Sequence, residues 1–285
     1  MKKQKKILFS IYRYQLVPLS TVIQSELFQR YSSYEDLIAK KNTFFDEIIK
    51  NENTKYTGRG YPVITKIEAA KKNSILLRMG VEKSKEVDNS NFVKEKIKDY
   101  PNIYIYINNE PEKQYILIQS NSDAFTETKA VANILATTLK RKLSVDNLAI
   151  YIEKKFDSKE FWETIKTYEG SIRELKFEFI KPNMSNISQS AVSSIRILKD
   201  KLNSHKTDLL LKAPARGVLE NLNEDDQEIN NLVDYQKEGG GPPPEIKITG
   251  LRHYIKTSES EITFILDSFT GSADDLIKIL DKKIK

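Results

Sequence analysis

The sequence predicts an α+β protein: a mixed β-sheet with helices packed on it, followed by a C-terminal β-hairpin and helix. Between Asn102 and Lys181 the apolar residues change repeatedly from the two-residue period of a strand to the spacing of a helix. Turn-forming and helix-capping residues stand where the pattern changes. The chain has 285 residues, of which 39% are hydrophobic and 30% charged, so it is long enough for a packed core under a charged surface.

The central stretch begins as two strands joined by a turn. Ile103 and Ile105 alternate with Tyr104 and Tyr106, which places the isoleucines and the tyrosines on opposite faces. The sequence NNEP then favours a turn, because Asn tolerates left-handed backbone and Pro interrupts a central strand. The next strand, Tyr115–Ile118, is apolar on both faces, as expected for a strand that is covered on both sides.

Two helices and two strands complete this stretch. Val131 to Leu143 repeats apolar residues at helical spacing, after Asp123 or Thr126 as cap, and a second helix around Trp162 follows Asp157 or Ser158 as cap.

The other predicted strands are Ile7–Val17, Val63–Ala70, Ser74–Val81, Leu148–Ile152, Ile172–Phe179, Thr207–Leu211, Glu245–Ile255 and Glu261–Phe269. The other predicted helices are Tyr34–Lys50 with Ser33 as cap, Asn91–Tyr100, Ser188–Ser204 and Ala273–Ile284, and the polar Lys83–Ser90 predicts a loop.

Changes in composition divide the chain into four regions, which form one or two compact domains. They are an N-terminal α+β region at 1–100, a central mixed-sheet core at 101–182, a helical and acidic region at 183–244, and C-terminal strands with a helix at 245–285. The third region ends in GGGPPP, Gly239–Pro244, whose composition is typical of a linker.

Composition excludes several classes of site. Without any cysteine the chain has no disulfide, cysteine-ligated zinc, iron–sulfur cluster or thiol nucleophile, and this fits a reducing cytoplasm. The start, MKKQKKILFSIYRYQLVP, has a basic run but no small-residue cleavage site, which favours a first strand over a signal peptide. No apolar run is long enough to span a membrane. We therefore expect a cytoplasmic protein without a membrane partner.

Charge is unevenly distributed along a chain whose net charge is +6. Residues 1–30 hold six basic side chains and one acid, whereas residues 218–239 hold seven acids and one lysine. A basic end suits an anionic partner and an acidic segment suits a basic one, although solvated charged faces without any partner have the same composition.

Catalytic motifs are sparse. The two histidines are isolated, and no Gly-rich phosphate loop or nucleophile elbow occurs. The best enzymatic hint is an acid-x-Lys pattern on two predicted strands, Glu174 with Lys176 and Glu245 with Lys247. In metal-dependent nucleases such carboxylates hold Mg²⁺ and the lysine positions the attacking water. The same alternation is typical of a half-exposed strand, so both interpretations stay open.

Nucleic-acid binding is the second candidate chemistry. The sheet face that carries Tyr104 and Tyr106 either stacks bases or packs beneath the helices. Basic side chains in several clusters are candidate phosphate contacts: Lys2, Lys3, Lys5, Lys6, Arg59 between two glycines, Lys140, Arg141, Lys142, Lys154 and Lys155. Each cluster on its own is also typical of a solvated surface.

The layout resembles that of known phage-defence proteins. IYIYINNEPEKQYILIQSN before a long helix, with a late ELKFEFIKPN, is similar to a group of bacterial proteins associated with phage defence and to the A proteins of lambda-type Rex exclusion systems. The resemblance covers about residues 60–250 and rests on no catalytic motif, so it transfers no functional residue. It implies a role in abortive infection as a sensor or DNA-binding accessory that works with a second protein.

Three hypotheses follow. The first is a non-enzymatic antiviral accessory protein that binds nucleic acid without sequence specificity and also binds a protein partner or itself, with no cofactor. The second is a Mg²⁺-dependent nuclease that uses Glu174 with Lys176 or Glu245 with Lys247. The third is a protein-interaction scaffold whose contact is the acidic segment 218–239.

Overall fold

The structure, a computed structural model, describes residues 6–21, 30–58, 62–180, 202, 204–257, 262–266, 269 and 271–283. Within them the chain is an α+β protein with mixed sheets, a C-terminal strand pair and a helix, as the sequence predicts. The predicted helix Ser188–Ser204 lies outside the described residues except for 202 and 204.

The described residues form thirteen strands and five helices. The strands are β1 Ile7–Pro18, β2 Val63–Ala70, β3 Ser74–Val81, β4 Lys83–Asp88, β5 Lys94–Asp99, β6 Asn102–Asn108, β7 Tyr115–Gln119, β8 Leu148–Lys154, β9 Ile172–Ile180, β10 Lys206–Lys212, β11 Glu245–Ile248, β12 Ile255–Lys256 and β13 Thr263–Leu266. The helices are α1 Tyr34–Ile49, α2 Thr128–Leu143, α3 Ser158–Thr167, α4 Gln227–Tyr235 and α5 Ala273–Lys283.

The chain divides into two compact units, each built from segments that are distant in sequence. The first unit comprises Met1–Ser10, Ala39–Asp146 and Thr263–Lys285, and the second comprises Ile11–Ile38 and Asn147–Ile262. The division at Asp146 falls inside the stretch 101–182, so β6, β7 and α2 belong to the first unit whereas β8, α3 and β9 belong to the second.

The first unit is organised by a sheet of order β13-β1-β7-β6-β3-β2, to which β1 contributes its first four residues. The isoleucines of β6 are buried on one face. On the other face α5 packs on β2, β3 and β6, and the Tyr106 hydroxyl donates a hydrogen bond to Asp281 of this helix. Tyr104 is half-buried, with the guanidinium of Arg78 4.7 Å from its ring centroid. Tyr106 therefore packs beneath a helix, and neither ring forms an open stacking platform.

A hairpin replaces the loop and helix that we predicted for residues 83–100. β4 and β5 pair antiparallel, and the Asn89 side chain accepts the backbone N–H groups of Asn91 and Val93 at 2.9 and 3.1 Å to form the turn. Glu86 lies opposite Lys96 in the register, and such cross-strand pairs of opposite charge favour a sheet. The helix prediction was wrong because it rested on the spacing of Phe92, Val93 and Ile97, of which only Ile97 lies in β5, and took no account of the partner strand.

The second unit contains a four-stranded sheet of order β10-β9-β11-β12, and the later residues of β1 pair antiparallel with β8. Leu175, Phe177 and Phe179 of β9 point inward and pack with Phe161 and Trp162 of α3. This alternation places Glu174, Lys176 and Glu178 on the opposite face, which carries the candidate site. The predicted strand Glu245–Ile255 is split into β11 and β12, which pair with each other, while β13 pairs with β1.

The glycine-rich segment is packed into the second unit and is not a linker. Gly239, Gly240 and Gly241 are buried. A Cβ added at Gly241 would lie 1.9 Å from the carbonyl oxygen of Glu178, and one at Gly239 would lie 2.6 Å from Cβ of Arg13. The glycines allow the backbone to come close to neighbouring groups. A glycine-rich composition alone does not distinguish this role from that of a flexible linker.

Candidate functional sites

The second sheet brings the two acid-x-Lys patterns together. In the antiparallel register of β9 and β11, Glu245 lies opposite Lys176 and Lys247 lies opposite Glu174. Residues that face each other across two strands share one side of the sheet, so all four side chains lie on the same face. Since the two patterns are about 70 residues apart in sequence, only strand pairing brings them together.

Each carboxylate of this array already has protein partners. Glu245 lies 3.7 Å from the ammonium of Lys176 and 3.2 Å from that of Lys256. Glu174 accepts a hydrogen bond from the Tyr254 hydroxyl and forms an ion pair with Lys212 at 3.3 Å. The hydrogen bond from Tyr254, followed by the contact with Lys212, lowers the pKa of Glu174, although its slight burial acts in the opposite direction. The Tyr254 hydroxyl and the Lys212 ammonium therefore favour the charged form of Glu174.

The fourth member of the array is also engaged. The ammonium of Lys247 donates to the carbonyl oxygen of Arg252 at 2.6 Å and lies 5.3 Å from the centroid of the Tyr254 ring. The array therefore combines two carboxylates with four lysines, Lys176, Lys212, Lys247 and Lys256, for a net charge of +2. Mg²⁺ prefers a site rich in oxygen ligands, and a net positive array opposes its binding. The donor set does not fit this ion, and among the described residues no three acidic or histidine side chains are grouped to hold a metal.

The predicted cluster Lys140, Arg141 and Lys142 lies in the last turn of α2, in the first unit. Cations are favoured there because the helix C-terminus carries partial negative charge. The Ser144 N–H and hydroxyl cap the turn by donating to the carbonyl oxygens of Lys140 and Arg141. Lys140 and Arg141 are exposed and Lys142 is half-buried. No acidic side chain in the described part of the chain forms an ion pair with any of the three.

The other predicted basic residues have different surroundings. Lys155 is only 15% exposed and its ammonium lies 3.4 Å from Glu238. Burial lowers the pKa of Lys155, and the Glu238 charge partly offsets this effect. The Lys154 ammonium lies 5.9 Å from the centroid of the Tyr12 ring, and Lys6 is exposed. Lys2, Lys3, Lys5 and Arg59 lie outside the described residues.

Sequence reasoning missed a buried polar network in the second unit. Arg13, 2% exposed, donates to Glu238 at 3.0 Å, and the Gln15 amide donates to the carbonyl oxygen of Gly239 at 2.5 Å. The signal was present in β1, where Arg13 and Gln15 interrupt an otherwise apolar strand. A charged residue inside a buried strand requires a partner from elsewhere in the chain.

No match emerges when the chain is compared with protein-family models, with curated proteins and with solved structures. Among the described helices, none combines the length and the apolar character needed to cross a membrane. The resemblance to phage-defence proteins therefore stays a prediction.

Proposed function

We propose that this protein binds nucleic acid through sequence-independent phosphate contacts, and that the main contact in the described residues is the C-terminal turn of α2. The observation that carries the proposal is the trio Lys140, Arg141 and Lys142, of which the first two are exposed and none has an ion-paired acid in the described part of the chain. The layout resemblance supports a setting in cytoplasmic phage defence, together with a protein partner or a second copy of the chain.

The contrast with other lysines supports this choice. The ammonium groups of Lys155, Lys176, Lys212 and Lys256 lie 3.2–3.7 Å from carboxylates of the same unit, so phosphate would have to displace an existing partner. The trio on α2 has no such competitor among the described residues. Neutralising phosphates releases condensed counterions, which makes binding of this kind steeply dependent on salt.

A binding role also agrees with the state of the array on β9 and β11. Its carboxylates are paired with lysines and its net charge opposes a divalent cation. We therefore place Mg²⁺-dependent cleavage second, as an outcome that the same experiment detects.

The test measures the affinity of the purified chain for labelled duplex DNA, single-stranded DNA and RNA over a series of salt concentrations. The variant Lys140→Gln/Arg141→Gln/Lys142→Gln removes the trio. We expect the slope of log affinity against log salt on duplex DNA to become shallower by about 2–3, because each phosphate contact contributes roughly 0.9. Including Mg²⁺ in parallel samples reveals any cleavage.

The matched control is Lys94→Gln/Lys96→Gln/Lys98→Gln. It removes the same charge from exposed positions on β5, where acidic residues such as Glu86 lie opposite. The proposal predicts that the control variant binds duplex DNA with nearly the same affinity as the parent. Equal losses in both variants would mean that net charge alone drives binding, and a parent chain that binds no nucleic acid at low salt would refute the proposal. Cleavage that requires Mg²⁺ and is lost in Glu174→Gln or Glu245→Gln would favour the nuclease instead.

A further inference from the structure

A cleft in the second unit lies between the end of α3 and the irregular segment Val218–Asn223. Its volume is about 350 Å³, and a second cavity of about 200 Å³ adjoins it. The two share Ile165, Glu169, Leu222 and Asn223, so they form one continuous groove. The larger part alone reaches the lower end of the range of roughly 300–1,000 Å³ that is common for ligand sites.

The floor of the groove is apolar and is held in place by the fold. The Leu219 N–H donates to the carbonyl oxygen of Ile172 at 2.7 Å, which fixes the segment beside β9. Leu219 and Leu222 pack against the buried core, yet both stay partly exposed. Asn221 has a φ of 59°, a left-handed conformation that Asn tolerates, and the chain turns there between the two leucines.

The rim of the groove is acidic. Glu169, Glu220 and Glu224 are exposed carboxylates that line it, and none of them forms an ion pair with a described residue. Lys166 is the cation among the lining residues, which leaves a net charge of −2. An apolar floor with a negative rim complements a ligand that is apolar at its centre and cationic at its edges. The same charge repels the phosphates of nucleic acid.

We propose that this groove binds a segment of a partner protein in which aliphatic side chains are flanked by Lys or Arg. The aliphatic groups would lie on Leu219, Leu222 and Ile165, and the flanking cations would meet the three carboxylates. The proposal goes beyond the nucleic-acid contact described above and uses none of its residues, so either one can fail without the other.

The only tryptophan of the chain, Trp162, lines the smaller cavity and reports on occupancy by its fluorescence. We would titrate the full chain with an acetylated and amidated peptide, GRRLLRRG, and follow the fluorescence and the heat of binding at low ionic strength. Two control peptides replace the leucines by serines, GRRSSRRG, or the arginines by glutamates, GEELLEEG. We expect saturable binding of the first peptide and at least tenfold weaker binding of both controls.

The variant Glu169→Gln/Glu220→Gln/Glu224→Gln should weaken binding of GRRLLRRG about tenfold, since exposed charge pairs are individually weak. The charge-matched control Glu163→Gln/Glu228→Gln/Asp234→Asn changes exposed acids that do not line the groove and should leave binding within about twofold of the parent. Since all six carboxylates are exposed, both variants should keep the parent's circular dichroism.

Three results would overturn the proposal. In the first, no peptide produces either heat or a change in Trp162 fluorescence. In the second, the serine peptide binds as tightly as the leucine peptide, which would mean that charge alone acts. In the third, both triple variants lose the same affinity, which would place the binding outside the groove.

Discussion

The Oε2 atom of Glu238 accepts a hydrogen bond from Nη1 of Arg13 at 3.0 Å, across 225 positions of sequence. The ammonium of Lys155 lies 3.4 Å from the same oxygen. Burial by itself would raise the pKa of Glu238, but the charge of Lys155 and the hydrogen bond from Arg13 outweigh it, so the pKa is lowered. One carboxylate thus forms ion pairs with two cations inside the second unit and ties the glycine-rich turn to β1.

Replacing Glu238 by Gln should destabilise the protein by about 1–3 kcal/mol at pH 7, because it leaves two charges without their carboxylate. This loss of stability is smaller than for a fully buried ion pair, because the Glu238 side chain is 41% exposed and solvent screens part of the attraction. Urea denaturation measures the free energy of unfolding. The exposed Asp234→Asn serves as control and should change stability by no more than about 0.5 kcal/mol.

The same pair makes stability depend on pH in the acid range. A carboxyl group whose folded pKa is lowered contributes stability above its unfolded pKa of about 4.3, and this stability is lost as pH falls through the folded pKa. The difference between the parent and Glu238→Gln should therefore shrink steadily below about pH 4. A difference that stays constant down to the acid transition would contradict the assignment.

Adding a methyl group at Gly241 should be more damaging than its small size suggests. The new Cβ would lie 1.9 Å from the backbone carbonyl of Glu178, and backbone cannot move aside as a flexible side chain can. We expect Gly241→Ala to cost at least about 2–3 kcal/mol of unfolding free energy. Gly217→Ala is the control, since its nearest contacts are at an ordinary 3.4 Å, and it should lie within about 1 kcal/mol of the parent. Equal thermal midpoints for the two variants would argue against the buried position of this segment.

Lys41 of α1, in the first unit, is 7% exposed, and burial lowers its pKa to about 8, although the Glu112 carboxylate acts in the opposite direction. Between about pH 8 and pH 10.4 the unfolded chain holds a proton that the folded chain has lost, so stability contributed at this site rises with pH. Relative to Lys41→Met, the parent should gain about 1–3 kcal/mol over this interval.

The measurement for Lys41 is urea denaturation of both proteins at several pH values from about 7.5 to 10.5. The readout is the change of the difference with pH, because its absolute value also contains packing effects of the methionine. The exposed Lys129→Met is the control, and its free energy of unfolding should change with pH as the parent's does. If the free energy of unfolding of Lys41→Met also changed with pH as the parent's does, Lys41 would keep its ordinary pKa.

Tyr106 is fully buried, and its hydroxyl donates to Asp281 on the helix that covers β6. Tyr106→Phe keeps the ring but removes this donor, and we expect a loss of about 1–2 kcal/mol. Tyr168→Phe is a matched control, because Tyr168 is 36% exposed, and it should have an effect below about 0.5 kcal/mol. Thermal and urea denaturation should both show the larger loss of stability for Tyr106→Phe. A neutral Tyr106→Phe would mean that water replaces the lost bond, contrary to the packing of α5 on this strand.

Much of the fold was predictable because its signals are local. The alternation in β6 and β9 and the apolar stripe of α2 appear within elements of 7, 9 and 16 residues, and each spacing allows one backbone geometry to bury the apolar side chains. Caps are equally local: Ser33 accepts the Asp36 N–H at 3.1 Å and Asp157 accepts the Lys159 N–H at 3.0 Å, as predicted. α2 differs, since it starts after Glu127 without a side-chain cap.

The candidate sites were predictable only as residue types. The sequence indicated Glu174, Lys176, Glu245 and Lys247 but not that their strands would pair in register. Nor did it indicate that Lys212 and Lys256 would form ion pairs with the carboxylates and that Tyr254 would donate a hydrogen bond to one of them. It suggested an acidic contact within 218–239 but not the apolar groove whose rim that segment forms.

The sequence by itself thus determined the α+β class, most strands and helices, and the run of cations in the last turn of α2. Tertiary structure decided the β4–β5 hairpin, the burial of the glycines and the partnership of Arg13 with Glu238. The physical reason is the range of the interactions involved. Backbone periodicity depends on neighbours along the chain, whereas strand register, ion pairing and close approach depend on which distant surfaces meet when the core is buried.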